Sequence, residues 1–135
     1  MNPIYGLRWS DFCAVFRKQS WESPAPMLVM YESPYAGDVE ANLEYARRRC
    51  REILEIFPYF VIVAPHLYYP TILNDDDPSE RERGLRACHT LRQVCGIVLF
   101  DVHNPGRPGY SSGMQRALQE CGNVHIVCEL PENLK

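Results

Sequence analysis

Three features are missing from this sequence, and each absence excludes a class of protein. No apolar run approaches the ~20 residues that a membrane-spanning helix needs. The 14 Lys and Arg residues are outnumbered by 17 Asp and Glu residues, so the chain lacks the basic excess that is typical of nucleic-acid-binding proteins. No two cysteines are spaced as CxxC, which argues against a zinc site. We therefore expect neither a nucleic acid nor a membrane as a partner, and no bound metal.

The N-terminus and the cysteines indicate the compartment. Residues 1–21 have no uninterrupted apolar core and no small-residue cleavage site, so they do not read as a secretory signal. The six cysteines are scattered and sit mostly in apolar helix or strand patterns. Reduced, buried thiols are typical of cytoplasmic proteins. We expect a cytoplasmic protein that has no intrachain disulfide and needs no cofactor.

Four short apolar runs alternate with helical patterns along the chain. The runs predict strands over residues 27–31, 59–65, 96–100 and 124–130, and helices begin at Asp38, near Ser79 and at Ser112. The first helix carries apolar residues at helical spacing, namely Val39, Leu43, Ala46, Cys50, Ile53, Leu54 and Phe57. This alternation predicts an α/β fold with a mostly parallel sheet of four or five strands. Strands that are apolar throughout predict helices on both faces, which makes three layers.

The chain has the length of a single domain, which we assign to residues 26–135. Residues 1–25 are an N-terminal extension with a short helix predicted from Ser10 to Lys18. Trp9, Phe12, Cys13 and Phe16 share one side of that helix. We expect this side to pack on the domain or on a neighbouring subunit, and we expect a homo-oligomer.

Ligands of parallel α/β sheets bind beyond the carboxyl ends of the strands. That rule brings together the three loops over residues 32–38, 65–78 and 101–112. A serine pair and a glycine at a helix start leave backbone N–H groups available for an anion, and aromatic hydroxyls suit a base or a ribose. The ligand-binding candidates in these loops are Ser33, Tyr35, Gly37, His66, Tyr68, Ser111, Ser112, Gly113 and Met114.

Each of these loops also has a purely structural interpretation. The glycine-containing first loop reads equally well as a tight turn between a strand and a helix. The tyrosines of the second loop could cover the edge of the sheet, and a serine before a helix is a common cap. Of the three adjacent acids Asp75, Asp76 and Asp77, one is expected to cap the following helix. Ligands for a metal normally come from several elements, so these acids do not predict a metal site.

The stretches SPYAGDVEAN (residues 33–42), DDDPSER (residues 75–81) and SSGM (residues 111–114) resemble the nucleoside 2-deoxyribosyltransferase-like superfamily. The likeness is strongest to a group of uncharacterised phage and bacterial proteins, and it extends from about Met27 to Leu130. It implies a Rossmann-like fold with a nucleoside or nucleotide pocket between the first loop and the SSGM turn. Members of this superfamily with known activity cleave or transfer the N-glycosidic bond.

This chain lacks the catalytic carboxylates of the superfamily that it resembles. The family pattern has a glutamate four residues after the glycine of the last turn, where this chain has Ala117. It also has an aspartate on the preceding helix, at a position that falls near Cys88 in this chain. Glycosyl transfer needs a carboxylate at the sugar and an acid for the leaving base. Glu80 and Asp38 are the first candidates to replace them, followed by Glu32 and Glu82.

Three functions remain open on this basis. The leading one is a nucleoside- or nucleotide-binding protein with little or no glycosidase chemistry, such as a phage protein that sequesters a nucleotide signal used in defence. The alternative is an N-glycosidase or deoxyribosyltransferase with relocated carboxylates. The third is a structural or interaction module that binds no ligand.

Overall fold

The structure is a computed structural model that describes residues 6–16, 26–106, 108–121 and 125–135. Within them lie four strands, β1 (Met27–Glu32), β2 (Phe60–Val63), β3 (Ile97–Asp101) and β4 (Ile126–Leu130). The helices are α1 (Trp9–Phe16), α2 (Val39–Ile56), α3 (Tyr69–Ile72), α4 (Pro78–Val94) and α5 (Ser112–Cys121). Every strand pair is parallel, and the order across the sheet is β2-β1-β3-β4. The predicted α/β fold with its parallel sheet is therefore confirmed.

Both faces of the sheet are buried. Val29 and Tyr31 of β1 pack on one side in a cluster that includes Phe57, directly after α2. Met30 packs on the other side in a cluster that includes Met114 of α5. This two-sided packing explains why the strands are apolar at nearly every position rather than alternating. None of the described helices is long and apolar enough to cross a membrane.

The described part of the N-terminal extension belongs to the same core. Phe12 and Phe16 of α1 are buried in the cluster that contains β1 and β4, and Leu7 forms a parallel bridge with Cys128. The aromatic side of α1 thus packs on the domain itself. The predicted helix extended to Lys18, and residues 17 and 18 lie outside the described part of the chain, as does Val124 of the last predicted strand.

The predicted apolar face of α2 is buried at Ala46, Cys50, Ile53 and Phe57, with departures at one apolar and two polar positions. Leu54 is 37% exposed, whereas the polar residues Asn42 and Arg49 are almost fully buried. Arg49 tolerates burial because it forms an ion pair with the buried Asp101, with Nε and Oδ2 2.7 Å apart. The packing of α4 is also looser than its pattern indicates, since Val94 at its end is 62% exposed.

The capping predictions are confirmed for two helices. Asp38 caps α2 by accepting a hydrogen bond from the Ala41 N–H, and Asp77 caps α4 by accepting from the N–H of Ser79. The segment over residues 65–78, interpreted from sequence as one long loop, instead contains a 3-10 turn (Pro65–Leu67) and the short helix α3. Proline lies in the first turn of each, where its fixed φ favours helical backbone and no N–H is required.

Candidate functional site

A cleft opens beyond the carboxyl ends of β1 and β2, next to α3, α4 and the start of α5. Its volume is about 150 Å³. The strand order changes direction between β1 and β3, and ligands of open parallel sheets bind in the crevice at such a point. Typical ligand pockets span about 300–1,000 Å³, so this cleft is small for a ligand site and has room only for a compact group.

The structure brings most of the predicted ligand-binding residues to this one cleft. Those that line it are Ser33, Tyr35, His66, Ser111, Ser112, Gly113 and Met114. Gly37 and Tyr68 do not line it. Gly37 has a φ of +103° and serves the turn before α2, while Tyr68 is 41% exposed and its neighbour Tyr69 lines the cleft instead. Whether the lining residues bind a ligand stays a prediction.

The first turn of α5 supplies backbone donors to the cleft. Ser111 caps this helix, because its Oγ accepts a hydrogen bond from the Met114 N–H at 3.2 Å. The first backbone bond of the helix runs from the Gln115 N–H to the Ser111 carbonyl. The N–H groups of Ser112 and Gly113 precede that bond and have no partner within the helix, so they are available to an anion or a hydroxyl.

His66 contributes an uncharged ring to the cleft. Its Nε2 lies 2.8 Å from Ser33 Oγ, and its ring stacks on Tyr31 with the centroids 5.8 Å apart. Burial lowers the pKa of His66 to about 4, so the ring is neutral at neutral pH. A neutral imidazole offers one donor and one acceptor nitrogen.

Another side of the cleft is lined by the buried ion pair of Arg92 and Glu32, which was not predicted from the sequence. Arg92 donates from Nε and Nη2 to the same oxygen of Glu32, Oε2, at 3.0 and 2.7 Å. Burial raises the pKa of Glu32, and the charge and hydrogen bonds of Arg92 work against that rise. Arg92 also donates to Glu120 at 2.7 Å. No local feature of the sequence distinguishes Arg92 from a solvent-exposed arginine on α4, so no sequence signal identifies it.

The residues considered for catalysis are distributed unevenly. Glu80 lines the cleft and accepts a hydrogen bond from the Asn74 N–H. Asp38 does not line the cleft, because its side chain caps α2. Ala117 is 1% exposed and packs in the core. Cys88 lines the cleft, and burial raises the pKa of its thiol to about 11, so the thiol stays protonated.

Metal chemistry finds no support in the described part of the chain, where no group of three His, Cys, Asp or Glu residues is arranged to hold an ion. Asp77 is used as a cap, and the Asp76 backbone N–H is held by the Asn74 side chain at 3.0 Å. All six cysteines carry free thiols, and all but Cys88 are buried.

Two buried asparagines hold the backbone of the loops that follow β1 and β3. Asn42 is fully buried, and its Nδ2 donates to the carbonyls of Tyr35 and Ala36, both at 2.9 Å. Asn104 is also fully buried and accepts from the Gly106 N–H at 3.0 Å. Sequence reasoning missed both, because an asparagine in a helix or a loop usually reads as a surface residue.

The comparisons with known proteins give one finding. No curated protein matches the chain, and no solved structure matches it. A family model described as a domain of unknown function (DUF7768) matches residues 27–130, the span from the first residue of β1 to the last residue of β4. The chain therefore belongs to the DUF7768 family of domains of unknown function.

Proposed function

We propose that this protein binds a nucleoside or nucleotide in the cleft and holds it without cleaving it. The observation that supports this most strongly is the convergence of two kinds of group. The N–H groups of Ser112 and Gly113, which have no partner within α5, suit a phosphate or a sugar hydroxyl, and the neutral His66 with Tyr35 and Tyr69 suits a base or ribose. The size of the cleft fits one such group at a time.

Binding without turnover is favoured by the residues at the positions where the resemblance expects carboxylates. Ala117 offers no functional group, and its side chain packs in the core rather than lining the cleft. The protonated thiol of Cys88 replaces the second carboxylate with a poor nucleophile. A protein of this kind sequesters its ligand.

A second candidate function, N-glycosidic cleavage, is favoured by one observation. Glu32 and Glu80 both line the cleft, and a glycosidase uses two carboxylates, one of them protonated to serve as the acid. Burial raises the pKa of Glu32, which is the direction that an acid requires. Against this role, Arg92 holds the Glu32 carboxylate through two hydrogen bonds.

Titration calorimetry with nucleosides, nucleoside monophosphates, NAD and cyclic nucleotides tests the proposal, paired with an assay for released base. We expect saturable binding and no release of base. The informative variant is Gly113→Leu. A Cβ at Gly113 meets only Ser111 Oγ, at 3.9 Å, and Gly113 lines the cleft, so a leucine there should reduce the space for a ligand. Each hydrogen bond to a charged group is worth about 1.5–3 kcal/mol, so affinity should fall by roughly tenfold or more.

The matched control is Gly96→Leu. Gly96 lies directly before β3, at the opposite edge of the sheet from the cleft, and a Cβ there meets nothing within 4 Å. This variant should bind like the unmodified chain. Robust release of base that disappears in Glu32→Gln or Glu80→Gln would establish the glycosidase function instead. Failure of every compound to bind would refute both functions.

A further inference from the structure

Glu32 presents one unused oxygen to the cleft. Arg92 donates from both Nε and Nη2 to the Glu32 Oε2 atom, at 3.0 and 2.7 Å, and leaves Oε1 out. Oε1 accepts no hydrogen bond from the described residues and is not among their buried unpaired atoms. The Glu32 side chain lines the cleft and is 12% exposed. Oε1 is therefore the atom of this carboxylate that a ligand can reach.

The buried ion pair holds this oxygen in place. Arg92 is 3% exposed, and its remaining guanidinium nitrogen, Nη1, donates to Glu120 at 2.7 Å. All three guanidinium nitrogens are thus engaged by two carboxylates, one at the end of β1 and one on α5. A recognition group needs this kind of support from a locked neighbour. The position of Oε1 is fixed before any ligand arrives.

The strand order sets the position of Glu32 among the other groups that line the cleft. His66 and Tyr69 follow β2, and Glu32 ends β1. The N–H groups of Ser112 and Gly113 come after β3. Because the sheet order is β2-β1-β3, Glu32 lies between the rings on one side and the backbone donors on the other. In a nucleoside the sugar has the same middle position, between the base and the 5′ oxygen.

A hydroxyl suits Oε1 better than the N–H of a base does. Burial raises the pKa of the Glu32 carboxyl, while the charge and hydrogen bonds of Arg92 oppose the rise. Because Oε2 already accepts from two donors, a proton on this carboxyl sits on Oε1. A hydroxyl donates to Oε1 when the carboxyl is ionised and accepts from it when the carboxyl is protonated, whereas an N–H pairs with the ionised form alone. A sugar hydroxyl therefore matches both states.

We propose that Glu32 is a specificity-determining residue that binds the 2′- or 3′-hydroxyl of a nucleoside through Oε1. This inference rests on the proposed function, because it takes the ligand to be a nucleoside or nucleotide. It adds that the sugar fills the enclosed volume of about 150 Å³. The base then extends towards His66 and Tyr69, and the 5′ group extends towards the N–H groups of α5.

Calorimetry on the full chain with adenosine, 2′-deoxyadenosine and 3′-deoxyadenosine tests this contact. One of the two deoxy compounds should bind roughly tenfold or more weakly than adenosine, because a hydrogen bond to a charged group is lost. Glu32→Gln keeps an oxygen for Arg92 and replaces Oε1 by an amide nitrogen, so it should weaken adenosine by a similar factor. With the deoxy compound that lacks the bound hydroxyl, this substitution should change the affinity by no more than about twofold, because the contact is already gone.

The matched control is Glu120→Gln, which changes the other carboxylate that Arg92 binds and does not line the cleft. It should leave all three affinities within about twofold of the unmodified chain, and urea denaturation should show that both variants are folded. Equal affinity of the unmodified chain for the three nucleosides overturns this inference without any variant and leaves the proposed function standing. A loss in Glu32→Gln that is equal for all three nucleosides does the same. Failure of all three to bind also overturns it, and the proposed function fails with it only if the nucleotides are not bound either.

Discussion

Replacing Gly106 by alanine tests how the loops around the cleft are held together. A Cβ at position 106 would lie 2.8 Å from Asn42 Oδ1 and 3.5 Å from the Asp38 Cβ. The first distance is shorter than carbon and oxygen tolerate without a bond, so a neighbour has to move. Asn42 is fully buried and its amide holds the carbonyls of Tyr35 and Ala36, so it moves only by giving up those hydrogen bonds.

The expected cost follows from that geometry. Overpacking a tight site typically costs about 1–3 kcal/mol, and each lost hydrogen bond about 0.5–1.5 kcal/mol. We therefore expect Gly106→Ala to lower the free energy of unfolding by about 2 kcal/mol in urea denaturation at 25 °C. Tyr35 and Ala36 line the cleft, so the affinity for any ligand bound there should fall as well.

Two other glycines and one double variant supply the controls. Gly84→Ala, inside α4, places its Cβ 3.7 Å from Leu73 Cδ1 and should stabilise the protein by up to about 1 kcal/mol. Gly96→Ala meets nothing within 4 Å and should be nearly neutral. In the Asn42→Ala background the obstructing oxygen is gone, so adding Gly106→Ala should cost little. If Gly106→Ala costs the same with and without Asn42, the steric argument is wrong.

Three further predictions concern burial and capping. Asp101→Ala should cost about 3–5 kcal/mol in urea denaturation because it leaves the buried Arg49 unpaired; a loss under 1 kcal/mol would show that the pair is not buried. The pKa of His66 is about 4 in the folded chain against about 6.5 when unfolded, so the unfolded chain binds more protons in between. The contribution of His66 to the free energy of unfolding should be complete above pH 6.5, and it should fall by at most about 3 kcal/mol towards pH 4. His66→Gln should remove this part of the pH dependence, whereas the control Tyr59→Phe should leave it in place. Asp77→Ala should cost about 0.5–2 kcal/mol through loss of the α4 cap, and equal thermal midpoints of the two chains would contradict it.

The elements with strong local signals could be predicted from sequence. The alternation of apolar runs with helical patterns predicted the four strands of the parallel sheet to within a few residues. Asp38 was predicted as a cap, and one of the three aspartates before α4 was predicted as another, which the structure shows to be Asp77. Residues of the first and last loops were assigned to one cleft through the general rule for parallel sheets. The family-level similarity to DUF7768 adds no residue roles to this.

The remainder of the site could not be predicted, because it depends on residues far apart in the chain. The pairing of Arg92 with Glu32 joins α4 to β1, and neither residue has a local feature that distinguishes it from a solvated charge. Gly37 and Tyr68 satisfied the loop rule yet lie outside the cleft, because turn geometry decides which residues of a loop face inward.

The sequence by itself determined which segments are strands and helices, since hydrophobic periodicity and capping are properties of neighbouring residues. Only the tertiary structure decided that Asn42 and Arg49 are buried while Leu54 is exposed. A buried polar side chain is stable only where partners satisfy it. Asn42 finds its partners in the loop just before α2, whereas Arg49 depends on Asp101, which is remote in sequence.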